Sequence, residues 1–533
     1  MSQANQRIYF NGDIVTMVNE SDCPKAVLTQ NGKIVQLGDL EQLKLKAPDA
    51  KLIDLKGKTM LPGFVDPHSH IYALAQSLSM ANVVECTSIS EVIDILKRIH
   101  KPPGEWIIGI NFDNAKYPGN KVPTKEDLDQ VSTTSPVLCS HISGHMGVVN
   151  SYALKLLEIT ADSPDPPGGK IRRKDDGKEP TGLLEESAFF SVQRFMKPKS
   201  PDALVSDLEE AQKVYVSFGI TTAQDGRTLS SDFQIIEKAS KSKKLFIDVI
   251  CYPEYFLNDG AIDDNMQPYK NKYVNRLKVG GYKIFLDGSP QGRTAWMSKP
   301  YLNNDPSDPN YCGYPVKNDD EILKSIDGSI SNNMQLLAHC NGDAAADQYI
   351  RCCSKRADKV ASIKPVMIHS QLLRRDQVPQ LKHLNIISSF FVAHTFYWGD
   401  IHLSNFGPER ANYISPVNTA YKNGIKFTLH QDTPVILPNM LETIWCAVNR
   451  ITRNGVELDR GECVSPFVAL KGVTEYAAHQ YSEDDMKGTI EPGKLADFVI
   501  LDKNPLKVPK MEIKNIKVLE TIKEDVTVFT VNK

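Results

Sequence analysis

The sequence contains no run approaching the roughly 18 consecutive apolar residues that a membrane-crossing helix needs. Its start, MSQANQRIYFNGDIV, has no basic stretch leading into an apolar one, which is the mark of a secretory leader. These absences predict a soluble, cytoplasmic protein with no membrane partner. Cysteine pairing is missing too: the ten cysteines are scattered, only Cys352 and Cys353 adjoin, and no CxxC occurs. That argues against a zinc knuckle and against a disulfide framework. Nor does one charge dominate, since 62 basic residues face 65 acidic ones for a net charge of −3, and no dense Lys/Arg block is present. Nothing draws such a chain to a polyanion, so nucleic acid is not an expected partner.

What is present is ordinary for a folded protein, with 41% hydrophobic and 24% charged residues among 533. The length suits one α/β barrel of about 250 residues enlarged by insertions, with a smaller domain beside it. Residues 1–60 hold short alternating segments cut by turn formers, IYFNGDIVTM, AVLTQNGKIVQLG and KLIDLKGKTM, the pattern of hairpins. Similar segments return in residues 485–533, in GTIEPGKLADFVILDKNP (which starts at 488) and VLETIKEDVTVFTV, so the two ends are expected to close one β unit.

Between them, residues 61–484 carry eight short apolar runs that each stop at a polar or turn-forming residue: GFVDPHSH, GITTAQDG, FIDVICY, VGGYKIFLDGS, QLLAHCNGD, PVMIHSQ, IISSFFVAH and IKFTLHQDTP. Stretches long enough for a helix, such as Asp319–Asn332 and Ala344–Lys359, separate most of them. That alternation favours a parallel sheet, and eight units suggest its closure as a (β/α)8 TIM barrel. About 71–218 is too long for one crossover. It has its own strand-like runs, EWIIGINFD and PVLCSHISGH, and a Pro/Gly/charge-rich segment, DSPDPPGGKIRRKDDGKEPTG, that reads as a loop. We expect an insertion after the first barrel strand, the alternative being a separate domain.

The chemistry sits at the ends of these runs. In GFVDPHSH, His68 and His70 are two residues apart, so in an extended chain both imidazoles leave the same face. His339, His369 and Asp432 also lie at or just past the ends of later runs, and the C-terminal ends of barrel strands converge on one mouth. Imidazoles and a carboxylate are the ligands of zinc and other first-row divalent ions.

Together, GFVDPHSH, the later single histidines, the late aspartate and GTIEPGKLADFVILDKNP resemble the amidohydrolase superfamily. VGGYKIFLDGSPQGRTAWMSKPY and HTFYWGDIH are similar to its YtcJ-like branch, which includes N-substituted formamide deformylases. The resemblance implies a composite β-sandwich from both termini and one or two divalent ions, zinc foremost. It also implies a ligand set of His68, His70, Lys283, His339, His369 and Asp432. Lys283 would enter that set as a carbamate, because a bare ammonium repels a cation. Unmodified, it would pair with Asp287 or contact substrate beside a single ion.

The implied activity is hydrolysis of a non-peptide C–N bond (amide, formamide or cyclic amide) in a small molecule, with Asp432 moving the proton. The alternatives are a deaminase or esterase on the same barrel, or a non-catalytic scaffold, which typically lacks part of the ligand set. A homodimer follows family habit. His145 in SGHMGVVN is a candidate donor to the substrate carbonyl or, equally, a loop histidine. Arg293, Trp296 and Tyr301, with His394, Tyr397, Trp398 and Asp400, are candidate pocket lining or loop packing. His430 is expected to support the ligands from behind, His100, His383, His402 and His479 to be surface or structural, and Glu483-Asp484-Asp485 to be a solvated turn.

Overall fold

The computed structural model describes residues 5–78, 80–99, 101–141, 145–192, 199–257, 260–304 and 306–531; His100 lies outside them. It divides into two compact units, Met1–Tyr72 with Ala211–Lys533, and Ala73–Glu210. Among the described residues no helix is long and apolar enough to cross a membrane.

In the first unit, alternating segments from both ends of the chain form two sheets. In one, Lys33–Gly38, Ala26–Gln30, Gln6–Phe10 and Lys51–Asp54 lie side by side. Its tightest hairpin turns at Asn31-Gly32, both with positive φ (51° and 79°), as the right-handed twist of the flanking strands requires. In the other, the order is Asp13–Ile14, Thr59–Pro62, Phe498–Leu501, Val518–Lys523 and Val526–Thr530. Here Met60 faces Ile500 across an antiparallel pair. Tyr9, Val27, Met60, Phe498, Ile500 and Ile522 pack in one core; burying each large apolar side chain contributes about 1.5–3 kcal/mol.

All eight apolar runs form strands. Phe64–Val65, Ile220–Thr228, Asp248–Pro253 and Leu277–Val279 pair in parallel, and so do Gly281–Phe285, Gln335–Cys340, Val366–His369, Ile387–Phe390 and Phe427–Leu429. A parallel bridge between Glu254 and Lys283 joins the two groups. At the other side, Val65 N–H donates to Val473 O and Leu429 N–H to Gly472 O, so one segment touches the first strand and the last. Leu336, Leu337 and Ala338 are all fully buried, as expected of strands covered on both faces. Helices such as Asp319–Ser331, capped by Asn318 and Glu321, return the chain between strands and leave His68, Lys283, His339, His369 and Asp432 at or near strand ends.

The acidic turn departs from expectation. Asp484 and Asp485 are exposed, but Glu483 is 2% exposed because Lys278 and Lys487 reach its carboxylate at 2.7 and 2.8 Å. The sequence could not show the distant lysines that make its burial tolerable.

The second unit has a six-stranded sheet in the order Gly169–Arg173, Pro180–Glu186, Met146–Val149, Val137–His141, Ile107–Phe112 and Ala81–Asn82. The charged segment read as a loop contains a hairpin: Gly169–Arg173 pairs with Pro180–Glu186, burying Ile171 and linking Arg172 to Glu185 at 2.8 Å. One inward apolar residue on an otherwise polar strand leaves almost no alternation to read.

Candidate metal centre

The first ligand pair follows Phe64–Val65. His68 is fully buried, and its Nε2 lies 3.4 Å from Asp432 Oδ1; Nε2 of His70 lies 3.3 Å from the same oxygen. Ligand atoms of these three residues all fall within 4.8 Å of one another. Gln224 sets the first imidazole: His68 Nδ1–H donates to Gln224 Oε1 at 2.6 Å, while the Gln224 amide donates to Pro67 O and Tyr481 Oη. With Nδ1 protonated, Nε2 presents its lone pair to the cluster, where it accepts from Lys283 Nζ at 3.1 Å. A Cβ on Gly226 would stand 2.6 Å from His68 Cε1, so a residue without a side chain is needed there.

The second pair ends the strands Gln335–Cys340 and Val366–His369. His339 Nε2 lies 3.2 Å from Gly288 O and 3.1 Å from Asn341 Nδ2, so that edge of the ring is taken up and Nδ1 is the atom facing the cluster. His369 Nε2 is 3.0 Å from that Nδ1. Behind it, His369 Nδ1 meets His430 Nε2 at 3.2 Å, and His430 Nδ1 meets Ser389 Oγ at 2.9 Å. The two pairs converge, with the rings of His68 and His369 5.7 Å apart. His369 and Asp432 hold φ of +74° and +54°. Non-glycine residues in that region cost of order 1 kcal/mol or more, and the cost persists where surrounding structure over-determines it.

Burial holds the imidazoles of His68, His339, His369 and His430 neutral. It lowers His68 and His369 well below the usual histidine value, His339 to about 4 and His430 to about 3, with Lys283 adding to the effect at His68 and His339. Burial also brings Lys283 down to about 7. At Asp432 burial opposes ionisation, but the surrounding histidines, His70 first, outweigh it and hold the carboxyl well below its ordinary range. Oδ1 of this ionised group is itself buried and has no hydrogen-bond partner among the described residues. Imidazole nitrogens around an unsatisfied anionic oxygen suit a cation. Separations of about 3–3.5 Å are those of atoms sharing one ion at roughly 2.0–2.2 Å.

Asp287 is not paired with Lys283. Its oxygens accept backbone N–H groups of Trp296, Asn341 and Gly342 at 3.0, 2.9 and 2.7 Å, tying the loop after the Lys283 strand to the one after His339. Burial pushes its carboxyl up to about 7 against those three donors.

The remaining candidates spread out. Tyr301 is 2% exposed, its hydroxyl donates to Ala295 O at 2.7 Å, and its ring packs on Phe406. Arg293 lies over the Tyr301 ring and donates to Asn304 Oδ1, Trp296 is half-buried, and Asp400 accepts from Thr452 Oγ1 at 2.9 Å. Tyr397 bonds Glu442 at 3.2 Å. His394 is buried between Trp398, Phe391 and His402, its Nδ1 3.0 Å from His402 Nε2. His402 is thus a core residue, whereas His383 is exposed and His479 pairs with Asp484 at 2.7 Å. His145 belongs to the second unit, where its side chain is 65% exposed beside Glu186 at 3.2 Å. Sequence reading missed Gln224, Gly226 and the clamping role of Asp287. The first two stand in GITTAQDG, inside the Ile220–Thr228 strand, with no local signal to set them apart.

With this geometry in hand, three comparisons bear on the chain. The pattern of the amidohydrolase family matches residues 51–529. The chain is 28% identical to the protein called "Putative amidohydrolase YtcJ" of Bacillus subtilis (strain 168), over 97% of this chain and 98% of that one. It is 26% identical to an N-substituted formamide deformylase of Arthrobacter pascens, over 98% of each. Among solved structures, an uncharacterized metal-dependent hydrolase from Pyrococcus furiosus aligns with a TM-score of 0.76 and 26% identity, over 94% of this chain and 100% of that one.

Proposed function

Because the chain belongs to the amidohydrolase family, we propose that it is a metal-dependent hydrolase cleaving a non-peptide C–N bond, in an amide, formamide or cyclic amide, of a small molecule. In this reading the parallel strands close as a (β/α)8 barrel and the terminal sheets form a composite β-sandwich beside it. His68, His70, His339, His369 and Asp432 hold one or two zinc ions at the mouth. The observation that carries it is the unpartnered Oδ1 of Asp432, 3.3–3.4 Å from two imidazole nitrogens. The N-substituted formamide deformylase among its relatives supports the bond type.

Lys283 completes the set as a carbamate. At a pKa of about 7 its amine is substantially neutral near pH 7; the nitrogen adds to carbon dioxide, loses a proton and becomes an anionic N-carboxylate in place of an ammonium. When bound, the metal acidifies water and polarises the scissile carbonyl. The protein's own residues do the rest. Gln224 holds the His68 ring, Gly288 O holds His339, and His430 backs His369. Asp432 takes the proton of the attacking water on its carboxylate and returns it to the leaving nitrogen, so the amide and water become an acid and an amine.

The test is removal and return of metal. Chelation should abolish hydrolysis of one class in a panel of N-formyl, N-acyl and cyclic amides, and zinc should restore it. Protein that neither contains nor takes up divalent metal would sink the reading, and ammonia release from amino-heterocycles without amide cleavage would redirect it to deamination.

A further inference from the structure

Arg227 stands near the end of the Ile220–Thr228 strand, next to the glycine that abuts His68. Its Nε donates to Glu254 Oε2 at 2.7 Å, and its guanidinium lies 5.6 Å from the centroid of the Phe285 ring. That ring is shared with the proposed ligands, since Lys283 Nζ is 5.3 Å from its centroid and the His339 ring 5.4 Å. The backbone of Glu254 pairs with that of Lys283 in a parallel bridge. Arg227 is therefore anchored at Nε and on one face, beside the metal cluster. Its side chain is 49% exposed, and its two terminal nitrogens make no hydrogen bond among the described residues.

Two other guanidiniums of this unit are more fully engaged. Arg374 donates to Asp343, Asp347 and Asp376, and Arg410 to the carbonyls of Phe406, Lys299 and Pro300. A planar fork whose orientation is already fixed loses little entropy when it takes a bidentate acceptor, and a carboxylate matches its spacing. Glu254 offsets the charge of Arg227 but engages only one of its three nitrogens.

We propose that Arg227 receives a carboxylate of the substrate, so that the preferred substrates are amides or formamides of carboxylate-bearing amines. This rests on the hydrolase reading above. The experiment compares zinc-loaded protein on two pairs differing only by a carboxylate: N-formylphenylalanine against N-formylphenethylamine, and N-formylglycine against N-formylmethylamine. In at least one pair kcat/KM should favour the acid tenfold or more. Arg227→Met should lower the acid at least tenfold more than its partner, with an unchanged melting temperature, and Arg227→Lys should keep part of the preference. Equal handling of acid and partner in both pairs, or equal loss of both members in Arg227→Met, overturns the assignment. If no member is hydrolysed, these formamides give the hydrolase reading no support, and calorimetry decides this inference separately. Tighter binding of an acid by wild type but not by Arg227→Met upholds it; equal binding rejects it.

Discussion

Two clusters of buried polar side chains occupy the same unit, and they are built on opposite terms. At the start of the Asp248–Pro253 strand, Asp248 meets Arg276, Lys487 and Lys523 at 3.2, 2.6 and 2.7 Å. Lys523 also reaches Asp497, and Lys487 and Lys278 share Glu483. Full cations lie against each carboxylate there, although Glu483 Oε2, 2.8 Å from Lys487 Nζ, lacks an aligned hydrogen bond, and Lys487 and Lys523 outweigh burial to hold Asp248 well below the usual carboxylate range. At the other end of the strands, four neutral histidines and a lysine near neutrality surround one ionised carboxylate, and the oxygens Asp66 Oδ2, Asn341 Oδ1 and Asp432 Oδ1 go unsatisfied. The first cluster is closed on itself. The second is complete only with something added, and it concentrates left-handed non-glycine residues as well. Folding tolerates a deficit of this kind where function needs it.

The two clusters should therefore fail differently. Asp432→Asn should cut turnover by about 10³-fold with metal largely retained and no loss of stability, read from kcat, elemental analysis and melting; an active variant removes Asp432 from proton transfer. Lys523→Met, which leaves Asp248 and Asp497 short of a buried partner, should destabilise by about 3–5 kcal/mol in denaturant unfolding while kcat per folded molecule stays put. If it instead lowered kcat in protein that remains folded, the clusters would not be separable. Gln224→Leu should weaken zinc binding about 10–100-fold in chelator competition, because the His68 ring loses its anchor.

Acid should separate them too. Burial holds His339 at about 4 against an ordinary 6.5, so between those values the unfolded chain binds more protons. The stability this group contributes is present above pH 6.5 and lost as pH falls toward 4. Asp248 and Glu483 are depressed below their ordinary values, so their contribution is full above about pH 4 and disappears only in stronger acid. Melting temperatures of metal-free protein should fall in two steps, and zinc should suppress the upper one. A single step below pH 4 would show that the histidines are not held neutral by the fold.

The legible part of the molecule was whatever repeats or ends a run. The eight strands announced themselves because strands buried on both faces are continuous in Val, Ile and Leu, and His68, His339 and His369 because each polar residue interrupts such a run at its end. The two-ended sheet was legible from alternation at both termini. What stayed hidden depends on partners far apart in sequence. Glu483 looked like a solvated turn because Lys278 and Lys487 are invisible beside it; Gln224 looked like any strand-end amide because its bond to His68 spans 156 residues. The hairpin at Gly169–Arg173 was hidden for the opposite reason, being too polar to show a period.

Tyr301 marks the boundary between these cases, and the smallest expected effect tests it. From sequence it stands with Arg293 and Trp296 as pocket lining or loop packing. In the structure its hydroxyl is spent on Ala295 O and its ring on Phe406 and the Arg293 guanidinium, inside a core with Met297 and Leu458. Tyr301→Phe keeps the ring and leaves one buried carbonyl without its donor, so it should cost about 1 kcal/mol of stability and leave KM unchanged. A rise in KM without loss of stability would return Tyr301 to the substrate and show that this loop opens in solution. Unchanged KM with a lowered melting temperature would assign it to holding Arg293 and its loop in place.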